Sequence, residues 1–278
     1  MHMSATASAL SPPAARPVGD LLREWRRHRR LSQLDLASGA EVSTRHLSFM
    51  ESGRSQPSRD MILRLAEYLD IPLRERNQLL VTAGFAPVYR ERTFDDPAFA
   101  AVLASIRLLL KGLEPYPALA VDRHWNLIES NQATQRMLAG LVPQWLKPPI
   151  NVLRLSLHPE GLAPHIRNLP VWRAHLLDRL RRQIDATHDP QLVALLQELR
   201  SYPGDDGEGH DVVSGDIAVP MELALGDITL SMLSTTTVFG TPMDVTLSEL
   251  ALEAFVPADE ATANHLRDMA ASAAGANG

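Results

Sequence analysis

Thr44, Arg45 and Ser48 lie within one short stretch, at the start of a segment whose apolar residues recur at helical spacing. A guanidinium presents a planar fork of donors that matches the O6/N7 edge of guanine, and hydroxyls both donate and accept. The set therefore has the chemistry of base reading in a DNA major groove. His46 sits one step off that line, turned toward the backbone. Gln33, eleven positions earlier, is placed to reach a phosphate or to brace the contact, and the Ser43 hydroxyl can either cap a helix or hold a phosphate.

The elements that must position these side chains are written in SQLDLASGAEVSTRHLSFMESG, residues 32–53. Ser32 is an N-cap candidate, and Gln33, Leu34, Leu36 and Ala37 form a short helical face. Residues 38–42 supply the turn, with Gly39 free to take a positive φ. Ser43 caps a second helix in which Leu47 and Met50, three apart, share the inner face. Thr44, Arg45 and Ser48 then face outward, and Gly53 closes the helix where a left-handed residue is expected. This is a helix-turn-helix. Around it, residues 18–30 read as a first helix with Leu21, Leu22 and Trp25 inward and Arg23, Arg26, Arg27, Arg29 and Arg30 outward, a phosphate-contacting stripe or a solvated face. Residues 58–69, capped by Ser58, and residues 73–83, after Pro72, read as two more helices.

The stretches RRHRRLSQLDLA, VSTRHLSFMESGRSQPS and ILRLAEYLDIP resemble, in order, the Xre-type, lambda-repressor-like DNA-binding domain. The resemblance implies an all-α five-helix domain over residues 18–86, with Gln33, Ser43, Thr44, Arg45 and Ser48 facing operator DNA. A helical bundle serving as a protein-interaction module is the competing reading.

Charge is distributed accordingly. The chain of 278 residues carries a net −6. Residues 18–92 hold 13 Arg and no Lys against 10 acidic residues, a net of +3, whereas residues 93–278 hold 13 basic against 23 acidic residues, a net of −10. The basic half is the half with the reading motif. The acidic half would be repelled by phosphate and suits a small molecule, a protein partner or a dimer interface. The absence of cysteine excludes disulfides, Cys-ligated zinc and thiol catalysis, and fits a reducing cytoplasm. No apolar run reaches membrane-span length. Residues 1–17 read as a disordered arm containing Arg16, and residues 87–97 as a linker.

In the second half, residues 98–113 read as a helix with Val102, Ile106 and Leu109 on one face. Residues 118–131 read as strand, tight turn at Asp122-Arg123-His124, strand, with Asn131 capping the next helix. This order resembles the opening of a PAS domain. A short helix with a His-Pro stop follows, then a helical region over 166–202 that breaks near His188-Asp189-Pro190. Residues 203–211 form an acidic Gly-rich loop whose spacing does not match an EF-hand. Three β-like stretches, 216–223, 228–237 and 243–255, lead to a tail from 259, a short helix followed by disorder.

The sequences EPYPALAVDRHWNLIESN, NVLRLSLHPEGLAP, NLPVWRAHLLDRLRRQ and TTTVFGTPMDVTLSELALEAFVPAD resemble the MmyB-type ligand-binding domain, which in that family follows an Xre-type domain. The resemblance implies a multidomain regulator with an α+β PAS-like domain over 98–258 and a pocket for a fatty-acid-like molecule. An apolar tube with one cationic or hydrogen-bonding anchor would hold such a ligand. Trp125, Trp172 and Phe239 are candidate walls, and Arg154, His158 and His175 candidate head-group contacts. Core packing or surface pairing is the competing role for each. The partners expected are double-stranded operator DNA, a small-molecule effector and a second copy in a homodimer, with no membrane and no required cofactor.

Enzymatic chemistry has little support. There is no Gly-rich phosphate loop, HExxH or GxSxG. Glu249 and Glu253 are four apart, a spacing that usually marks a solvated face, and the histidines lack tight metal spacing. The main alternative is a repressor controlled by a protein partner, with no small molecule.

Overall fold

The structure, a computed structural model, describes residues 16–138, 143–204, 219–240 and 242–275. Most of the arm, residues 205–218 of the acidic loop and the following strand start, and Thr241 of the turn at 240–242 lie outside them. The chain divides into two units, Met1–Tyr89 and Arg90–Gly278.

Among the described residues the first unit is five helices: α1 (Val18–His28), α2 (Gln33–Gly39), α3 (Thr44–Glu51), α4 (Arg59–Tyr68) and α5 (Leu73–Thr82). Side-chain caps start three of them. Ser32 makes a reciprocal capping box with Asp35, and the Ser43 and Ser58 hydroxyls accept from the N–H of His46 and Met61. Leu22, Leu36, Leu47, Ile62, Leu65 and Leu80 are wholly buried and form one core.

Two local readings change. Gly39 does not supply the positive φ of the turn; Glu41 does, at φ 56. Gly39 ends α2 beneath the Tyr68 ring, where a Cβ would fall 2.0 Å from the ring carbon, so its smallness serves close approach. Leu34 faces solvent rather than the core, because a seven-residue helix buries only the Leu36 and Ala37 side.

The second unit is built on a five-stranded antiparallel sheet in the order β2-β1-β5-β4-β3, with strands β1 (Ala118–Val121), β2 (Leu127–Ser130), β3 (Pro220–Leu225), β4 (Ile228–Val238) and β5 (Ala251–Pro257). Between β1 and β3 run α7 (Gln132–Leu138), α8 (Val152–Leu157), α9 (Leu169–Thr187) and α10 (Pro190–Ser201); α6 (Ala100–Gly112) precedes β1, α11 (Val245–Ser248) precedes β5 and α12 (Glu260–Gly275) follows it. The result is an α+β unit, the class that the sequence led us to expect. Asn131, Asn151 and Asp189 cap α7, α8 and α10 through backbone N–H groups.

Strand alternation assigns the two faces. Leu119 and Val121 of β1, with Met221, Leu223, Leu230 and Met232, join the larger core with Trp125, Trp172, Leu176, Leu180 and Leu199. Ala118 and Ala120, with Leu252 and Ala254, face Phe99, Ile106 and Leu110 on the α6 side.

Three further readings are corrected. On α6 it is Leu110 that turns inward with Ile106, while Leu108 and Leu109 are 73% and 52% exposed. Residues 243–255 are not one β-like stretch, because Asp244 accepts from the Leu247 N–H and nucleates the short α11 before β5 begins. The helix expected at the start of the tail from 259 is longer than read. It is the sixteen-residue α12, with Thr262, Ala263 and Leu266 buried and Thr262 Oγ1 accepting from the Ser231 N–H at 3.0 Å.

Candidate nucleic-acid interface and ligand domain

The outer surface of α3 carries Thr44, Arg45 and His46 exposed and Ser48 half-buried, while Leu47 and Met50 anchor its inner side. Ser43 caps the helix, its Oγ accepting from His46 N–H at 3.1 Å. Arg45 is braced. Its guanidinium lies 5.3 Å from the Phe49 ring centroid one turn on, and Arg54 lies 5.9 Å from the same ring. One aromatic ring therefore holds two cations on the reading surface, which lowers the entropy lost when Arg45 meets a base edge. Phe49 and Arg54 were not among the sequence candidates. The i, i+4 spacing of Arg45 and Phe49 was the available signal.

Beneath this surface, Glu51 at the end of α3 is buried and organises three elements. Arg26 of α1 donates to it from Nε at 2.6 Å and from Nη2 at 2.8 Å, and Gln33 of α2 donates from Nε2 at 2.8 Å. Arg23 donates to the Glu51 backbone carbonyl. Burial pushes the Glu51 carboxyl up, but the Arg26 and Gln33 bonds and the charges of Arg26 and Arg23 outweigh it and leave the group below its ordinary value. Gln33 thus ties α2 to α3.

The arginine stripe of α1 divides for the same reason. Arg26 is buried in the pair, and Arg29 donates to the Leu69 and Asp70 carbonyls at 2.8 and 2.9 Å. Arg27 and Arg30 remain exposed.

In the second unit the predicted ligand contacts separate into distinct places. Trp125 is buried, donates from Nε1 to Gln183 at 2.7 Å and lies under the Arg179 guanidinium at 4.5 Å. Trp172 is buried, donates to Ser156 Oγ at 3.1 Å and stacks on His175 at 5.4 Å. Burial, then the charges of Arg179 and Arg182, hold the His175 imidazole below its ordinary value. Arg154 is paired: Nε and Nη2 both reach Glu198 at 2.7 Å, and Tyr202 adds its hydroxyl to the same carboxylate. Burial and that carboxylate push the Tyr202 phenol up to about 12. His158 sits between Trp145 at 4.1 Å and Tyr202 at 4.9 Å. Phe239 packs on the opposite side of the sheet, against the α6 cluster, so it cannot share a wall with Trp125 and Trp172.

A polar constellation that sequence reasoning did not assemble lies on the inner side of the sheet. The Glu253 carboxylate of β5 accepts from both terminal nitrogens of Arg179 on α9, and from Ser234 Oγ and Thr236 Oγ1 of β4, each at 3.0 Å. Arg179 and Glu253 are 74 positions apart, so no local spacing could announce them. On the far side, a cleft of 320 Å³ opens between α6, the end of β2 and the start of α7, lined by Arg107, Lys111, Glu114, Asn131 and Gln135 among others. Among the described residues no cluster of three or more His, Asp or Glu is placed to hold a metal, and no helix is long and apolar enough to cross a membrane.

A helix-turn-helix with an outward cationic reading face, followed by an α+β domain, has the architecture of a two-unit DNA-binding protein. Family comparison agrees: residues 102–269 match the MmyB-like transcription regulator ligand binding domain, and residues 22–76 match the helix-turn-helix family. The chain belongs to the MmyB-like transcription regulators, which are not enzymes. Among solved structures it is similar to the PAS domain from Bordetella pertussis BvgS, at 15% identity and a TM-score of 0.26, covering 62% of this chain and 98% of that one. No curated protein matches the chain.

Proposed function

We propose that this regulator binds a two-half-site operator as a homodimer in the cytoplasm, and that a fatty-acid-like effector in the second unit sets its operator affinity. The observation that carries the ligand part is the inner face of β4. It runs from Leu230 and Met232, both wholly buried, through Ser234 and Thr236 to Val238, 63% exposed. An apolar layer that turns polar and then opens to water suits a molecule with an apolar body and a polar head. No cofactor is required. The dimer part is supported by Leu108 and Leu109, apolar side chains that α6 leaves in water. Two half-sites about one helical turn apart then supply affinity that one short reading helix lacks.

Ligand control is a population shift between dimer geometries that fit and misfit the operator. Its test is an operator selected from random duplexes by the full chain, followed by anisotropy titrations with and without dodecanoate. A coupling of about 1–3 kcal/mol, roughly 5- to 150-fold in affinity, is expected; identical curves at saturating dodecanoate would refute it. A regulator controlled by a protein partner is the second reading, favoured by the burial of Trp125 and Trp172 with both indole N–H groups satisfied, as in a filled core.

A further inference from the structure

We propose that Phe49 reads the C5 methyl group of a pyrimidine within two base pairs of the guanine that Arg45 contacts. The inference deepens the operator reading above and rests on it. α3 buries Leu47, Met50 and Glu51. At the α-helical repeat, Arg45 and Phe49 are the two positions turned furthest from that face, with Thr44 and Ser48 on one flank and His46 on the other. An aromatic ring at the centre of a polar outer face has no folding reason to be there. Phe49 is half-buried, yet among the described residues it joins none of the apolar cores. What lies over its ring is cationic: the Arg45 and Arg54 guanidinium carbons, at 5.3 and 5.9 Å from the ring centroid. Its backbone is held firmly. The Phe49 carbonyl accepts from the N–H of Arg54 at 2.9 Å and of Ser55 at 3.2 Å, and from Ser52 Oγ at 3.2 Å. The turn so fixed, with Gly53 at φ 73, carries Arg54 back over the ring.

Both cations have stronger partners on DNA than a ring face. Arg45 has the O6/N7 edge of guanine, and Arg54 a phosphate, each taking two guanidinium bonds. When they reach those partners, the ring is uncovered among polar base edges in a groove that is losing its water. The apolar group that a base pair presents in the major groove is the C5 methyl of thymine. Packing that methyl on the ring takes both out of water. 5-Methylcytosine carries the same group in the same place, so the ligand class is a 5-methylpyrimidine rather than thymine alone. The reach agrees with the stated distance from the guanine. Four residues advance about 6 Å along a helix axis, and successive base pairs stand about 3.4 Å apart.

The test uses the full chain and an operator it selects from random duplexes, read by anisotropy. Each thymine of the site is replaced in turn by deoxyuridine, which removes one methyl and nothing else. Wild type is expected to lose about fourfold at one thymine per half-site, the gain from burying one methyl group. That thymine should lie within two base pairs of the guanine at which Arg45→Ala loses discrimination. With cytosine in its place, adding the methyl as 5-methylcytosine should restore about fourfold. In Phe49→Ala the thymine and uracil duplexes should bind alike, whereas a ring that only braced Arg45 would weaken both and leave their ratio unchanged. Phe49→Gln should also lose the ratio, and carries the test if the alanine variant loses helical signal. A ratio of one at every thymine in wild type, or a ratio that survives both Phe49 variants, would overturn the methyl reader. So would a ratio lost in Thr44→Ser instead, which assigns the methyl to Thr44. A ratio that Phe49→Ala removes, with no guanine position responding to Arg45→Ala, would keep the methyl reader and overturn the Arg45 assignment. Failure to select any duplex over random sequence would overturn the operator reading and the inference with it.

Discussion

Replacing Glu51 by Gln in the first unit removes one charge and almost no volume, and the structure sets its cost. Arg26, with a side chain 10% exposed, loses its ionised partner and one of two charge-assisted bonds, now 2.6 and 2.8 Å long. Gln33 and Arg23 lose the same negative centre, at 2.8 and 3.6 Å. Breaking a buried pair from one side costs about 3–5 kcal/mol, against about 0–1 kcal/mol for an exposed pair. The glutamine oxygen still accepts one bond, so we expect about 3 kcal/mol, a large fraction of one small unit's stability. The double change Arg26→Met, Glu51→Leu should recover most of that loss, because it removes both charges together.

The assay is urea unfolding of the full chain followed by helix signal, the transition of the first unit being the one that moves. The pH dependence carries its own sign. The folded Glu51 carboxyl lies below its ordinary 4.5, so its stabilisation is complete above that value and fades as pH falls through the lower folded one. Glu51→Gln should flatten the acid limb of the stability curve. A loss under about 1 kcal/mol with an unchanged acid limb would show that the pair behaves as a surface pair and refute the reasoning.

Other outcomes follow from the same geometry. Arg45→Ala should cost about 1–3 kcal/mol of discrimination at one base position, whereas Arg54→Ala should weaken all sequences alike and reduce the salt slope; a gel-shift series over single-base operator variants at two salt concentrations separates them. Phe49→Ala should produce a milder form of the Arg45 defect by unbracing the guanidinium, read in the same series. Leu108→Glu should shift the full chain toward monomer in sedimentation while leaving its helical signal intact. Trp172→Ala should cost about 3–5 kcal/mol in the second unit's unfolding transition, since the indole is buried and its N–H is spent on Ser156.

What was legible in the sequence follows from how far each determinant reaches. Caps are local, so Ser32, Ser43, Ser58 and Asn131 could be read from type and position, while Asn151 and Asp189, which cap in the same way, were not singled out. The outward set on α3 was legible for the same reason, since Leu47 and Met50 fix its inner side. Inner faces were misassigned where apolar residues ring a helix. Leu34 and Leu109 each have an apolar neighbour that packs instead, and only the partner element decides between them. Arg26 looked like one of five equivalent cations until α3 brought Glu51 under it. The partners of these side chains were hidden similarly: Arg154 has its counter-ion 44 positions away, and the cation over Trp125 is Arg179, which no spacing singled out. Phe239 was assigned to the wrong side because residues beyond the last inner-facing strand position turn toward α6.

Native mass spectrometry of the purified full chain, followed by denaturing release of anything bound, tests the central claim of a dimeric, ligand-holding regulator most directly. The account predicts a species at twice 30.6 kDa carrying a small amphiphilic carboxylate that is released on unfolding. A bare monomer that gains no mass when dodecanoate is added would contradict it.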